Sequence, residues 1–388
     1  MKKVSYFLSH PIQYQTPMLQ YLNENLDSVD LEVVYFTKHT LGGLDRQFGV
    51  KINWDIPLLR GYKFTFLKNY SLKPAVSGSF FGLVNLGVVN YLIKRKPEYI
   101  IVHGWSYFSN ILLLAAAKTL GIKIILRAES PFTAEKNKSK LNHFIKKRIL
   151  FLCDRYLYIG KENKAFYEFL GIAKSKLFYA PYCVDNNRFI NSQKSFDRSN
   201  DSIRDQFSIP QNNKLLLFCG KLMDKKRPLD IVKALNQIKR DDISLIYVGT
   251  GKLKDEIDNY IIDNKVKNVH FAGFVNQTEL YKYYLSSDVF VLPSTFGETW
   301  GLVVNEAMLH SLPVLVSDHV GCVPDLVKSG KNGHSYECGN IGELSNRTEE
   351  LCSLNENELK TMGMKSFEIV QNYSFKEVLK GIEKSLKN

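Results

Sequence analysis

Residues 289–306 read VFVLPSTFGETWGLVVNE. The apolar run 289–292 predicts a buried strand, the Pro-, Ser- and Gly-containing stretch after it a loop, and the apolar period from Leu302 a helix. Glu298 lies in this loop and Glu306 in the first turns of the helix, at most about 12 Å apart at the helical rise. Because the first amides of a helix attract anions, the segment predicts two carboxylates on either side of a phosphate site.

The same pattern of strand, loop and helix recurs along the chain. Short β-branched runs alternate with longer helical stretches, which is typical of parallel sheets covered by helices. The predicted strands are Val4–Ser9, Leu31–Phe36, Tyr99–His103, Ile122–Arg127, Tyr156–Ile159, Leu177–Ala180, Leu215–Cys219, Ser244–Val248, Val269–Ala272, Val289–Leu292 and Val314–Ser317. We therefore predict an α/β fold of two Rossmann-like domains that face each other across a cleft, with ligands at the carboxyl ends of the strands.

The stretch 191–213 separates the two sets of strands. It is rich in Ser, Asn, Asp and Gln and has no apolar period, which predicts an interdomain linker. The predicted domains are therefore 1–190 and 214–388, and the last helix is a candidate to pack back on the first domain. A chain of 388 residues is long enough for two separate cores.

Composition excludes several classes of protein. Hydrophobic residues make up 45% of the chain and aromatic residues 12%, which excludes a disordered or fibrous protein. The six cysteines are scattered without a CxxC pair, which fits neither a zinc site nor a disulfide framework and favours a reducing cytoplasm. The apolar stretch Val4–Leu8 is too short for a signal peptide and is interpreted as the first strand.

The net charge of +13 is carried by the first half of the chain. Residues 1–190 hold 27 Lys and Arg against 13 Asp and Glu, a balance of +14, whereas residues 191–388 hold 25 against 26, a balance of −1. A basic half predicts an anionic partner such as a membrane surface, a diphosphate-linked acceptor or nucleic acid. The alternative is a solvated lysine face that only keeps the protein soluble.

Two turns of the second half also suit an anion. Gly220-Lys221-Leu222 follows a predicted strand, and Lys225 and Lys226 precede the helix that Pro228 opens, so positive charge stands at a helix start. The Gly249-Thr250-Gly251 turn follows the next strand and allows a backbone to approach a ligand closely. Solvated loops are the alternative interpretation of both turns.

These motifs, in this order, resemble the family-four (group 1) retaining glycosyltransferases of the GT-B fold. Phe271-Ala272-Gly273-Phe274-Val275, the E-x7-E pair Glu298 and Glu306, Gly321-Cys322-Val323-Pro324-Asp325 and Gly330-Lys331-Asn332-Gly333 complete the set, and Pro181-Tyr182-Cys183-Val184-Asp185 with Arg188-Phe189 resembles the turn that ends the first domain. The resemblance implies an acceptor-binding first domain, a second domain that binds a nucleotide-sugar donor, and no metal or further cofactor.

The resemblance also implies roles for individual residues of the second domain. Lys221 and Lys226 are expected to bind the donor diphosphate, Glu306 the ribose hydroxyls and Glu298, as a catalytic residue, the donor sugar. The remaining expected donor contacts are Gly220, Gly249, Phe274, Val275, Thr299, Trp300, Gly301 and Leu302.

The first domain departs from the family pattern. Ser9-His10-Pro11-Ile12-Gln13-Tyr14-Gln15 replaces a glycine-rich loop, and Ala128-Glu129-Ser130 stands where a histidine is common. We assign the first-domain contact to the transferred sugar to Glu129 and place His10 and His103 near the acceptor, because all three follow predicted strands. The alternatives are a turn residue for His10 and a packed strand-end residue for His103. A long stretch that includes Asp45, Phe48, Gly49, Trp54 and Asp55 is a candidate wall of the acceptor pocket, and a core position is the alternative for Trp54.

Two segments of the first domain suit a lipid surface. Phe80–Ile93 is apolar, too short to span a bilayer, and followed by Lys94, Arg95 and Lys96. It is either a buried helix or an interfacial helix above a basic rim. The segment 136–148 alternates lysines with Leu141, Phe144 and Ile145, which predicts a helix with one apolar and one cationic face.

The sequence therefore predicts a metal-independent glycosyltransferase that moves a sugar from a nucleotide-sugar donor to a glycan or lipid-linked acceptor. Surface polysaccharide or glycolipid synthesis is the expected setting, in the cytoplasm or peripherally at the inner face of the cell membrane. A nucleotide-sugar epimerase of the same fold and a non-catalytic protein that binds anionic ligands are the alternatives. Nucleic acid is not an expected partner, because no nucleic-acid-binding motif interrupts the strand and helix pattern.

Overall fold

The computed structural model describes residues 1–38, 44–45, 50–51, 57–76, 78–135, 138–194, 196 and 202–387. They divide into two compact units. The first holds the described residues within 1–43, 56–182 and 375–388, and the second those within 44–55 and 183–374.

The strands of the described residues alternate with helices in both units. In chain order the strands are β1 (Lys2–Leu8), β2 (Val29–Tyr35), β3 (Leu44–Asp45), β4 (Val50–Lys51), β5 (Phe64–Phe66), β6 (Tyr99–His103), β7 (Lys123–Arg127), β8 (Arg155–Tyr158), β9 (Leu177–Tyr179), β10 (Lys214–Cys219), β11 (Ile243–Val248), β12 (Val269–Gly273), β13 (Val289–Leu292), β14 (Val314–Ser317) and β15 (Gly333–Tyr336).

Most of the helices are three turns or shorter. They are α1 (Thr16–Asn25), α2 (Val88–Arg95), α3 (Phe108–Thr119), α4 (Lys140–Leu150), α5 (Lys161–Phe169), α6 (Asn186–Lys194), α7 (Ile203–Gln206), α8 (Leu229–Ile238), α9 (Lys254–Asn264), α10 (Leu280–Ser286), α11 (Leu302–Leu309), α12 (Val323–Leu326), α13 (Ile341–Ser353), α14 (Glu356–Val370) and α15 (Phe375–Leu386).

The first unit is built on a parallel sheet with the order β5-β2-β1-β6-β7-β8-β9. Its central strands are buried on both faces, which is why they are continuous apolar runs rather than alternating ones. Because β1, β6 and β7 are neighbours, the residues that follow them share one edge of the sheet. The last helix, α15, packs on β8, β9 and α1 and belongs to this unit.

The second unit contains a parallel sheet with the order β12-β11-β10-β13-β14-β15. From β10 the chain first adds strands on one side and then, from β13 on, on the other. The loops that follow β10 and β13 therefore meet at the point where the strand order reverses, which is where ligands bind in such sheets.

The predicted strands are all present, and the α/β class with two parallel, Rossmann-like sheets is confirmed. The prediction missed the two-residue strands β3 and β4 and, in the parallel sheets, β5 and β15. The sequence of β5 is only Phe-Thr-Phe, and β15 reads Gly-His-Ser-Tyr, so neither carries the apolar run that marks a buried strand.

The boundary between the units differs from the predicted one. The first unit ends at Tyr182 rather than at residue 190, and part of the predicted linker 191–213 is helical and belongs to the second unit. Single buried side chains, Ile203 and Ile209, anchor this segment. Isolated anchors of this kind create no apolar period, so the pattern indicated a linker.

The apolar segment at 80–93 is not one helix. A 3-10 turn at Phe80–Gly82 precedes α2, which buries Val88 and Leu92 and leaves Val89 and Ile93 exposed. The buried interpretation holds for Val88 and Leu92, and contact of the exposed face with lipid stays a prediction. Within the described part of the chain, no helix is both long and apolar enough to cross a bilayer.

Candidate active site

The start of α11 is shaped by a glycine. Gly301 has a φ of +94°, and a Cβ on it would lie 2.9 Å from a methyl carbon of Val320. Only glycine fits this conformation and this contact without strain. No side chain caps the helix, so its first amides point at the edge of the sheet where the loops after β10 and β13 meet.

A lysine and a glutamate join these two loops. Lys226 Nζ lies 2.5 Å from Glu298 Oε2, and their side chains are only 12% and 14% exposed. Backbone contacts hold the loops together, since the Thr295 amide donates to the Lys225 carbonyl at 2.8 Å. The sequence predicted both residues as donor contacts, and the structure places their charges in direct contact.

Glu306 lies on the second turn of α11 and is 7% exposed. Its Oε2 accepts a hydrogen bond of 2.8 Å from the Tyr284 hydroxyl. Burial raises the pKa of Glu306 to about 6, although Tyr284 and the charges of Arg188 and Lys226 act in the opposite direction. The hydrogen bond and the two nearby cations therefore offset only part of the cost of burying this carboxylate.

Gly249 and Gly251 serve the packing of two loops. A Cβ on Gly249 would lie 2.0 Å from the Gly220 carbonyl oxygen, and one on Gly251 would lie 2.3 Å from that of Leu222. The loop after β11 thereby presses on the loop that carries Lys221 and is bonded to it, with the Leu222 amide donating to the Thr250 carbonyl at 2.9 Å. The close approach in the structure is to the neighbouring loop, and the predicted approach to a ligand stays a prediction.

The other predicted donor contacts lie at the same edge, with one correction. Phe274 and Val275 follow β12 and are half-buried, and Thr299 and Leu302 flank the start of α11. Trp300 is only 1% exposed, and its indole N–H donates to Asn305 Oδ1 at 2.8 Å. Its ring is therefore a core residue, and only its backbone remains as a possible ligand contact.

Arg188 is a cation that the sequence prediction did not place in the site. Its Nη2 donates to Gln277 Oε1 at 2.7 Å, while Nε and Nη1 are buried without a hydrogen-bond partner among the described residues. Its charge lowers the pKa of Glu306, so it stands near that carboxylate. The signal in the sequence was a basic residue within the motif after Asp185, and no role follows from that pattern alone.

In the first unit, His103 and Glu129 are brought together. His103 Nε2 and Glu129 Oε1 lie 2.7 Å apart at the ends of the neighbouring strands β6 and β7. The hydroxyl of Tyr182 donates to the same carboxylate oxygen at 2.5 Å and lies 2.9 Å from the hydroxyl of Tyr14. The four side chains form one hydrogen-bonded cluster, of which the sequence predicted two members.

The charge of Glu129 is stabilised by this cluster. Burial alone raises the pKa of this carboxyl, but the hydrogen bond and charge of His103, the bond from Tyr182 and the charge of Arg127 outweigh burial and lower it. Arg127 is itself buried, and its Nη2 donates to the Pro181 carbonyl at 3.3 Å. The sequence showed Arg127 only as the last residue of a strand and gave no sign of this role.

His10 follows β1 at the same edge of the first sheet. It is half-buried, and its Nδ1 lies 2.9 Å from Ser9 Oγ. The candidate pocket wall is not part of this description: Phe48, Gly49, Trp54 and Asp55 lie outside the described residues, and Asp45 is described only as part of the short strand β3, which pairs with β4.

Metal ligands and disulfides were not expected from the sequence. Within the described residues, no group of three or more His, Cys, Asp or Glu side chains is arranged to hold a metal ion. The six cysteines are free thiols, five of them buried.

Comparison with known proteins finds a similarity within the second unit. Residues 199–366 match the family "Glycosyl transferases group 1". The matched range contains the loops after β10, β11 and β13, Glu298 and Glu306. The chain is similar to this family over that part of its length.

Two curated relatives extend the comparison. An uncharacterized glycosyltransferase of Methanocaldococcus jannaschii is 34% identical over 134 residues, which is 34% of this chain and 34% of the relative. The chain thus matches about a third of that protein's length. The UDP-Gal:alpha-D-GlcNAc-diphosphoundecaprenol alpha-1,3-galactosyltransferase of Escherichia coli is 27% identical over 269 residues, 66% of this chain and 67% of that protein.

A solved structure shares the fold over the whole chain. HepE of Anabaena in complex with UDP and glucose superposes with a TM-score of 0.73, covering 100% of this chain and 99% of that one. At 17% sequence identity this likeness shows the fold alone.

Proposed function

We propose that this protein transfers a sugar from a nucleoside diphosphate sugar to a glycan or lipid-linked acceptor, with retention of the anomeric configuration. The observation that carries the proposal is the Lys226–Glu298 contact beside the uncapped start of α11, with Glu306 eight residues further on. The family match of residues 199–366 and the named reaction of the Escherichia coli relative support it.

The proposed chemistry begins with an exchange of partners. In the free protein Lys226 neutralises Glu298. When the donor binds, the Lys226 ammonium pairs with its diphosphate instead of with Glu298. The carboxylate of Glu298 then accepts hydrogen bonds from the sugar hydroxyls, and Glu306 accepts them from the ribose. Lys221, Arg188 and the first amides of α11 add positive charge around the phosphates.

In the reaction the bond between the anomeric carbon and the diphosphate oxygen breaks, and the acceptor oxygen bonds to the same carbon. The acceptor proton passes to the departing diphosphate, so charge and atoms balance. Retention requires the acceptor to approach on the face that the diphosphate leaves. Lys226 acts in this step by stabilising the negative charge that develops on the leaving oxygen.

The first-unit cluster supplies the proposed acceptor-side groups. Glu129, kept ionised by His103 and Tyr182, suits hydrogen bonding to hydroxyls of the transferred sugar. His103 and His10 suit the acceptor hydroxyl, because an imidazole both donates and accepts a proton near neutral pH.

The test is a panel of nucleotide sugars followed by product analysis. The cognate donor at 100 times its dissociation constant should stabilise the protein by about 2.7 kcal/mol. That donor with a glycan or lipid-diphosphate acceptor should then give a product whose anomeric configuration, read by NMR, equals that of the donor. Conversion of the donor sugar without an acceptor would favour an epimerase, and absence of nucleotide binding would exclude the proposal.

Activity is expected to survive removal of divalent metals. The diphosphate charge is countered by Lys226, Lys221, Arg188 and a helix start, so no cation is required to neutralise the leaving group. Initial rates should agree within about twofold with and without excess EDTA, an effect below 0.5 kcal/mol. A rate that disappears with EDTA and returns with Mn²⁺ would contradict this account.

We further infer that the first unit docks on an anionic membrane surface through α4. This helix exposes Leu141, Phe144 and Ile145 on consecutive turns, and the guanidinium of Arg148 lies 5.0 Å from the centre of the Phe144 ring. Lys140 and Lys147 are exposed beside them. An apolar row with a cationic rim is typical of helices that lie in the interface of a bilayer.

Helix α2 also exposes apolar residues, but one of its basic side chains is paired within the protein and is not free to contact a membrane. Its Arg95 contacts Asp30 at 2.7 Å and Glu32 at 3.0 Å and is largely buried. On α4, Lys146 is likewise engaged, with Glu135 at 2.5 Å, and this carboxylate is 7% exposed. Substituting Lys146 would leave the buried Glu135 without its cation, and substituting Arg95 would remove an ion-pair partner of the half-buried Asp30 and Glu32, so neither residue is suitable for a test of membrane binding.

The triple variant Lys140→Gln/Lys147→Gln/Arg148→Gln is expected to lose binding to anionic liposomes at low salt. At about 1 kcal/mol for each charge near the surface, partitioning should fall at least a hundredfold. The matched control replaces the exposed Lys239, Lys265 and Lys331 of the second unit by Gln and should change partitioning little. Equal behaviour of the two triple variants in a flotation assay would show that α4 does not dock.

A further inference from the structure

The Glu129 side chain is accessible to a ligand at the carboxyl edge of the first sheet. It follows β7, and 27% of its side-chain surface is exposed. Arg127, whose charge acts on Glu129, is only 2% exposed and is therefore out of reach of a ligand. A ligand at this edge thus meets the carboxylate directly, while the cation that stabilises it stays in the core.

The hydrogen-bond donors beside Glu129 are directed at its own carboxylate. The lowered pKa of this group keeps it ionised near neutral pH, and an ionised carboxylate only accepts hydrogen bonds. His103 Nε2, which lies 2.7 Å from Glu129 Oε1, therefore carries a proton and donates it to that oxygen. The Tyr182 hydroxyl donates to the same oxygen at 2.5 Å.

Tyr14 extends this chain of donors by one member. A hydroxyl has one proton to donate, and that of Tyr182 goes to Glu129. In the 2.9 Å contact between the two tyrosines, the Tyr14 hydroxyl therefore donates and the Tyr182 oxygen accepts. The donors of His103, Tyr182 and Tyr14 are thus all used within the cluster, and the exposed part of Glu129 offers a ligand acceptor lone pairs and negative charge.

A fixed, ionised acceptor distinguishes sugars by the groups that they carry. Hydroxyl and ammonium groups of a sugar can donate to it, and hydrogen bonds to a charged group are stronger than those between neutral groups. A carboxylate on the sugar has no proton to donate and brings a like charge, which opposes binding. The two kinds of sugar should therefore differ in affinity.

We propose that Glu129 makes this protein select neutral and amino sugars for transfer and reject uronic acids, with Tyr14 and Tyr182 as positioning residues of its carboxylate. This inference rests on the function proposed above, in which Glu129 bonds hydroxyls of the transferred sugar. It adds the class of sugar that the donor carries.

The test compares nucleotide sugars that differ in one carboxylate. UDP-glucose and UDP-glucuronate form one pair, and GDP-mannose and GDP-mannuronate form the equivalent guanosine pair. Titration calorimetry gives the Kd of each, and of UDP and GDP alone. The wild type should bind the neutral sugar of a pair at least about tenfold more tightly than the uronate, since one hydrogen bond to a charged group is lost. Glu129→Gln should reduce this ratio at least about fivefold.

The expected change in Glu129→Gln is a gain of affinity for the uronate, which misfolding cannot produce. The amide oxygen still accepts from His103 and Tyr182, while the amide NH2 becomes a donor for the uronate. The matched control is Glu98→Gln, an exposed acid directly before β6 at the amino edge of the same sheet, and it should leave the ratio unchanged. Equal ratios for wild type and Glu129→Gln would overturn this inference and leave the proposed function standing. Failure of both UDP and GDP to bind would contradict the proposed donor site, and this inference would fail with it.

The positioning roles of the two tyrosines are tested with the same titrations. Tyr182→Phe removes a donor to Glu129 and should weaken binding of the neutral nucleotide sugar at least about threefold more than Tyr14→Phe, which leaves that donor in place. Neither variant should change the Kd of the nucleoside diphosphate alone, because it lacks the sugar. Equal weakening of the nucleotide sugar and the nucleoside diphosphate would show that the tyrosines only support the fold and would refute their positioning role.

Discussion

Replacing Lys226 by alanine is expected to lower kcat by two to three orders of magnitude. The proposed role of its ammonium is to stabilise charge that develops on the leaving diphosphate, and removing one such group from an active site typically costs about 2.7–4 kcal/mol of transition-state stabilisation. Lys226→Arg should recover a large part of the rate, because the charge is kept. The measurement is single-turnover transfer from the cognate donor at saturating concentration.

Loss of folding has to be separated from loss of chemistry in this variant. Lys226→Ala leaves the half-buried Glu298 without its cation, which destabilises the fold. The double variant Lys226→Ala/Glu298→Gln removes the unpaired charge and should regain thermal stability while staying inactive. Lys225→Ala is the matched control from the same turn, since among the described residues the Lys225 ammonium donates one hydrogen bond, to the Gly297 carbonyl at 3.3 Å. An active Lys226→Ala protein would refute the assignment.

The strands of both sheets could be predicted because their signal is local. Runs such as Val289–Leu292 are apolar over their whole length, and the proline and glycines that follow mark the loop. The helix at Leu302 follows from the same stretch. The position of Glu298 and Glu306 relative to one strand and one helix is therefore contained in eighteen consecutive residues.

The partners of those carboxylates could not be predicted, because they depend on strand order. Lys226 reaches Glu298 only because β10 and β13 are neighbours, and Tyr284 reaches Glu306 from a helix twenty-two residues earlier in the chain. The same holds in the first unit, where Tyr182 bonds Glu129 across fifty-three residues. A sequence pattern names such residues singly and leaves their pairing open.

Trp300 shows what a motif leaves open about a single residue. Its place beside Gly301 in a ligand-binding motif indicated a donor contact, yet the indole is buried and bonded to Asn305. A motif shows which residue type occupies a position, but it does not show whether that residue contacts the ligand or packs in the core. Here the large ring packs beneath the loop, with its centre 5.8 Å from that of Tyr373, and thereby supports the loop that carries Glu298.

Glu306→Gln is expected to weaken nucleotide binding tenfold to a hundredfold. The proposed ribose contacts are two hydrogen bonds accepted by a carboxylate, and making the acceptor neutral costs about 1 kcal/mol for each bond. Gln is preferred to Ala because its amide oxygen still accepts the Tyr284 hydroxyl. The measurement is titration calorimetry with the cognate nucleotide, and an unchanged affinity would rule out this role for Glu306.

The pH dependence gives an independent check of the same residue. With a pKa of about 6 in the folded protein, Glu306 becomes protonated as the pH falls below about 6. Nucleotide affinity of the wild type should then fall, whereas that of Glu306→Gln should stay unchanged over this range.

The effect of pH on the stability of the fold has the opposite sign to its effect on nucleotide affinity. A raised folded pKa favours the protonated folded state, so the ionised carboxylate costs about 2 kcal/mol of folding free energy above pH 6. Glu306→Gln removes this cost and should melt at an equal or higher temperature at pH 7.5, so its weaker nucleotide binding cannot be attributed to unfolding.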